Sequence, residues 1–120
     1  MYQHTGGRGQ WSSLAVLTGS TVSGDLYGSS LAMVHDAATG VLTLAVGAPG
    51  AASTAGFVWI HKYQDAVWSE GQQLTSDTEG SFGASLALLG NMLVVGESAL
   101  STNNGRTCEL NCDTPCSVVF

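Results

Sequence analysis

Three cysteines, Cys108, Cys112 and Cys116, fall at even spacing in the polar run TCELNCDTPC. Thiolates are strong nucleophiles and soft metal ligands, so this run is where redox or metal chemistry would be sought first. A structural zinc wants four Cys or His ligands, and His4, His35 and His61 are scattered far from the cluster. The spacing C-x3-C-x3-C also misses the iron–sulfur pattern C-x3-C-x2-C of radical enzymes by one residue. The expectation is a disulfide-braced loop formed among Cys108, Cys112 and Cys116, with the pairing open and one thiol left over. That favours an oxidising compartment, although an odd count of cysteines favours it weakly.

Hydroxyl chemistry is the next candidate. GSSLA (Gly28 to Ala32) and GASLA (Gly83 to Ala87) imitate part of the G-x-S-x-G nucleophile turn of hydrolases. That turn needs a helix after it and triad partners nearby. Neither copy has the final glycine, and a nucleophile is not expected twice in one chain. The small residues read instead as places where neighbouring elements pack closely. TGGRGQ lacks the lysine and hydroxyl of a phosphate-binding loop. No site residue is assigned a catalytic, cofactor-binding or metal-binding role. Trp59 and Tyr63, at alternate positions of one run, could form a binding surface but read more simply as packing. Trp11 and Trp68 are expected to pack between repeats.

The elements that must carry these residues are short. Hydrophobic residues make up 44% of the 120 positions and charged residues only 10%, which excludes a disordered tail. Sixteen glycines with many Ser, Thr and Ala residues indicate all-β structure with frequent turns. The net charge of −6, with three dispersed cations, leaves no basic patch for nucleic acid or anionic lipid. The longest apolar stretches are far shorter than the ~20 residues of a membrane-spanning helix. MYQHTGGRGQW shows no charged start followed by an apolar run, so no signal peptide is expected in it.

The runs LYGSSLAMV, VLTLAVGA, GFVWIHKY and AVWSEGQQL are β-branched or aromatic and bounded by Gly, Asp, Ser or Thr. In FVWIHKY, Phe57, Trp59, His61 and Tyr63 alternate with Val58, Ile60 and Lys62, so two unlike faces are expected. TLAVGA and LVVG are continuously apolar, as in strands covered on both sides. These runs recur. YGSSLAM (Tyr27 to Met33) aligns with FGASLAL (Phe82 to Leu88), and WSSLAVLT (Trp11 to Thr18) with WSEGQQLT (Trp68 to Thr75). LAVGAP (Leu44 to Pro49) aligns with LVVGES (Leu93 to Ser98), and GFVWI (Gly56 to Ile60) with CSVVF (Cys116 to Phe120). The blocks keep one order in both copies while the spacers change length, which marks an internal repeat of about four strands.

These residues resemble the FG-GAP repeat, the blade sequence of integrin-α-like β-propellers. The resemblance rests on Phe82-Gly83 and Tyr27-Gly28, on Gly47-Ala48-Pro49, on Asp25 before LYG, on GFVWI and on the Trp68 to Leu74 block. It implies an incomplete propeller of about two blades, each a four-stranded antiparallel meander. Residues 1–18 would hold the last strand of a preceding blade and 19–75 one complete blade. Residues 76–120 would form a partial second blade, with a cysteine-containing loop insertion at 99–115. The resemblance also implies calcium in many blades, held by an acidic loop after the first strand. Here that loop is HDAATGV with Asp36 alone, and LGN in the second copy, so no calcium or other cofactor is expected.

What the resemblance implies for function is a non-enzymatic adhesion or interaction module, extracellular or at the cell surface, that binds a protein or glycan. The insertion 99–115 would be the contact region. The remaining blades of a larger propeller, or self-association, would cover its open faces. The alternatives are an accessory propeller domain of a larger secreted enzyme, or a structural repeat fragment without independent activity.

Overall fold

The computed structural model describes residues 1–4, 6–19, 23–50, 55–76, 80–98, 106–111 and 118–119. Among them there is no helix, and every sheet is antiparallel. A separate two-stranded sheet joins β1 (Tyr2–His4) to β2 (Trp11–Ser13). The first large sheet runs β3 (Ser30–His35), β4 (Leu42–Ala48), β5 (Phe57–Gln64), followed by β6 (Val67–Trp68) and β7 (Gln72–Thr75), which both pair with β5. The second contains β8 (Ser85–Leu89), β9 (Met92–Glu97), β10 (Arg106–Asn111) and β11 (Val118–Val119), in chain order across the sheet.

The split outer strand of the first sheet has a local cause. Tyr63 pairs with Trp68 and Ile60 with Gln72, so one extra residue lies on the outer strand between the two pairings. This is a bulge, and its ends are held by bonds from the Ser69 amide to the Lys62 carbonyl (2.7 Å) and from the Lys62 amide to Ser69 Oγ (2.9 Å). Gly71 sits at the bulge because a Cβ there would meet His61 Cε1 at 2.6 Å and Trp59 Cε3 at 2.8 Å.

The two large sheets pack face to face. Their shared core is Ala45, Val58, Ile60, Leu74, Phe82, Leu93 and Val95, with Ala32, Leu86 and Leu88 at its margin. Val58, Phe82, Leu93 and Val95 are fully buried. The alternation expected in β5 is observed: Val58 and Ile60 enter this core, while Phe57, Trp59 and Tyr63 are half-buried on the opposite side. Continuous burial is observed for Leu44–Ala48 of β4 but not for β9, where buried Leu93, Val95 and Glu97 alternate with less buried residues. The difference is what covers the far face: Leu14 and Leu17 of the N-terminal segment lie near Leu44 and Val46 of β4, whereas Val94 and Gly96 on the far side of β9 are only half-buried.

The repeat read from the sequence recurs as matched geometry. Gly28 and Gly83 both have positive φ, 95° and 90°. Their amides bond the carbonyls of Gly47 (3.0 Å) and Gly96 (3.2 Å), and a turn closes just after each, Ser29 to Leu26 and Ala84 to Ser81 (both 3.1 Å). Ser30 pairs with Gly47 and Leu31 with Val46; Ser85 pairs with Gly96 and Leu86 with Val95.

Three expectations are corrected. Residues 106–111 lie within the expected loop 99–115 but form β10, in register along the whole of β9. The tail CSVVF, aligned with the GFVWI run that forms the third strand of the first sheet, therefore takes the fourth position instead, with Val118 and Val119 on β10. RTCELN alternates only two apolar residues, Cys108 and Leu110, with polar ones, too short a pattern to mark a strand by itself, and the edge of β9, a tertiary feature, completes it. Trp11, 64% exposed, does not pack between repeats but meets His4 edge-on across its own hairpin (5.4 Å), whereas Trp68 lies against Tyr63 in its hairpin (5.0 Å) and lines the groove between the first sheet and the N-terminal segment.

Candidate functional site

Two grooves and one buried polar cluster hold the residues able to do chemistry. The polar groove, of about 660 Å³, opens where the β3–β4 loop approaches the β8–β9 turn. His35, Asp36, Thr39, Thr43, Lys62 and Asn91 line it together with apolar Val34 and Val41. The loop shape comes from Asp36. Its Oδ1 accepts from the Ala38 amide (2.9 Å) and its Oδ2 from the Thr39 hydroxyl (2.8 Å). The Gly40 amide returns to the Asp36 carbonyl at 2.7 Å. The Thr39 hydroxyl, then the Ala38 amide, holds the Asp36 carboxyl below its ordinary range. Both oxygens thus serve the turn, as an Asp that organises its own loop does. Among the described residues no group of three or more His, Cys, Asp or Glu side chains converges.

Opposite it, Leu89 and Met92 close a two-residue hairpin with Gly90 at φ 58°, the positive φ that such turns require. The long and short loops therefore end side by side, which sets the mixed polar character of the groove.

The second groove, of about 740 Å³, lies on the far face of the first sheet. Leu31, Met33, Leu44 and Val46 form its floor, with Leu14 and Leu17 of the N-terminal segment and Tyr27, Tyr63 and Trp68 around it. Leu31 and Met33 are 63% and 57% exposed, so an apolar surface faces solvent there.

Beside this groove lies the polar cluster. Tyr27 Oη and His61 Nε2 are 3.0 Å apart, and the Tyr27 amide donates to Asp25 Oδ1 at 3.1 Å. The Asp25 carbonyl in turn accepts from the Gly50 amide, tying the start of the repeat to the end of β4. His61 and Asp25 are buried, and His61 Nδ1 and Asp25 Oδ2 have no protein partner. Burial pushes the His61 imidazole down and so keeps it neutral. Burial, and then the Asp25 charge, pushes the Tyr27 phenol up. A neutral His accepting from or donating to a phenol ties β5 to the segment before β3, which gives the cluster the make-up of a structural clasp. The sequence signal was Asp25 two residues before Tyr27, but His61 lies a whole strand pair away and only β5 brings it there.

The remaining sequence candidates separate. Ser30 Oγ donates to the Gly83 carbonyl across the two sheets, and Ser85 lies exposed at the start of β8. Each serine opens a strand rather than a helix, so neither sits on a nucleophile turn. Cys108 is on β10 opposite Val95, whereas Cys112 and Cys116 lie outside the described residues, as do 99–105 of the expected contact region. Trp59 and Tyr63 share the face of β5 that carries His61. No protein-family model, curated protein or solved structure matches the chain.

Proposed function

We propose that the chain is a non-enzymatic β-propeller segment of the FG-GAP type, and that it works as an interaction or adhesion module outside the cell or at its surface. The observation that supports this most is the repetition of one strand–turn–strand unit with the same register, the same positive-φ glycine and the same closing bonds. Successive sheets stacked face to face are what propeller blades do. In such an array loops at one end form the variable surface, and here the polar groove lies where two of them meet. Its neutral amide, hydroxyls and single lysine suit the hydroxyl-rich surface of a glycan or a polar protein loop.

Binding of the whole chain to immobilised glycans and extracellular-matrix proteins tests the reading. A ligand whose binding falls at least tenfold with Lys62→Glu or Asn91→Ala, at unchanged thermal stability, supports it. No ligand, or an esterase activity that disappears with Ser30→Ala, overturns it.

A further inference from the structure

The N-terminal segment follows the outer strand of the first sheet residue for residue. Trp11 opposite His4 repeats Trp68 opposite Tyr63. Counting on from Trp11 along the aligned blocks, Leu17 takes the place of Leu74 and Met1 that of Ile60. The backbone agrees: Ile60 pairs with Gln72, and Met1 bonds to Ala15 (2.7 Å) and Leu14 (2.9 Å), the residues equivalent to Gln72 and Gly71. Leu17 lines the groove above Leu44 and Val46, as Leu74 shares the core with Leu93 and Val95. Residues 1–18 are thus the outer part of a further sheet, and the apolar groove is the space of its inner strands.

What fits that space is shown within the chain. Leu86, Leu88, Leu93 and Val95 occupy the positions equivalent to Leu31, Met33, Leu44 and Val46, and they pack against the face carrying Ala32, Ala45, Val58 and Ile60. On the second sheet the equivalents of Ala32 and Ala45 are Ala87, exposed, and Val94, half-buried. The polar anchor is duplicated too. Ser30 bonds the Gly83 carbonyl across the sheets; Ser85 is exposed, and its counterpart acceptor would be the carbonyl of Gly28, a residue whose Cβ position has no atom within 4 Å, whereas that of Gly83 is crowded by Phe57 and Val58. Among the described residues, the outer edge of β10 pairs at Glu109 and Leu110 with the two-residue β11.

We propose that the groove of one chain receives the β8–β9 face of a second copy, so that the protein self-associates head to tail. Ala87 and Val94 then cover Leu31 and Met33, the Ser85 hydroxyl donates to the partner's Gly28, and the N-terminal segment flanks the incoming sheet. The two faces differ, so the contact is heterologous and propagates unless it closes into a ring. The proposal rests on reading the two sheets as successive repeats.

Light scattering coupled to size-exclusion chromatography, on the whole chain over a wide concentration range, tests it. The wild type is expected at multiples of 12.3 kDa that grow with concentration. Leu31→Arg/Met33→Arg blocks the groove and Ala87→Arg the opposite face; all three sites are exposed, and circular dichroism checks that each variant folds. Each variant alone runs as a single chain, and an equimolar mixture forms a two-copy complex and nothing larger. Ser85→Ala, which removes one hydroxyl, raises the dissociation constant about fivefold. A wild type of single-chain mass throughout, association insensitive to these variants, or folded variants that stay apart when mixed would each overturn the proposal. A single-chain mass together with a destabilising Ser30→Ala refutes the second copy while leaving the repeat reading intact.

Discussion

At the scale of single residues, backbone conformation and one buried ring carry the clearest consequences. The β5–β6 hairpin turns on Asp65 and Ala66, both at positive φ (52° and 64°). That is the geometry of a type I′ turn, in which the second position prefers glycine. Alanine there costs about 1 kcal/mol, partly offset by the entropy glycine adds to the unfolded chain. Ala66→Gly is expected to stabilise the protein by about 0.5 kcal/mol and to raise Tm by roughly 2 °C, read by calorimetry. His61 predicts a pH effect. Its folded pKa is below its unfolded value of 6.5, so the unfolded chain binds the extra proton. Stability is therefore full above that value and falls as pH drops below it. Denaturant midpoints measured from pH 7.5 to 5 should decline, and His61→Gln should flatten the decline over that window. If wild type and variant track each other, the neutral buried ring is not the cause.

At the scale of elements, the duplicated glycine turn allows packing to be separated from conformation. Gly28 and Gly83 share a positive φ, but a Cβ at Gly28 meets nothing within 4 Å, whereas one at Gly83 meets the Phe57 carbonyl at 2.7 Å and Val58 Cγ2 at 3.1 Å. Gly28→Ala should cost the conformational term alone, about 1 kcal/mol. Gly83→Ala should add the cost of overpacking, another 1–3 kcal/mol. Equilibrium unfolding of both variants in one buffer makes the comparison, and equal losses would show that the turn is not held by the neighbouring sheet. The same logic applies to the serines: Ser30→Ala loses an inter-sheet bond, about 1 kcal/mol, and Ser85→Ala leaves the stability of the single chain unchanged. The first two strands of each repeat and the two faces of β5 were legible because alternation and turn residues are local, whereas CSVVF does not take the place of GFVWI and LVVG is not covered on both sides. β10 was not legible, because RTCELN becomes a strand through β9 rather than through its own pattern.

At the scale of the whole molecule, charge opposes contact between copies. The net charge is −6 and the isoelectric point near 4.5. At neutral pH and low salt like-charged chains repel, and screening weakens that repulsion. Static light scattering should therefore rise on adding salt at pH 8 and rise further as pH falls toward 4.5. An apolar face with two exposed residues, Leu31 and Met33, is the surface that gains from this. Scattering that falls with salt would place the attraction in ion pairs instead.

By itself the sequence determined the class of structure, the two-copy repeat, the turn positions and the two faces of β5, because residue periodicity and glycine conformation act over a few neighbours. Only the tertiary structure decided that Tyr27 meets His61, that Ser30 reaches Gly83, that residues 106–111 complete the second sheet, and that Leu31 and Met33 stay open while Leu86 and Leu88 pack against the core. Each of these depends on which sheet lies against which face. Equivalent residues in the two repeats have the same local pattern, and they differ only in whether a neighbour is there to cover them.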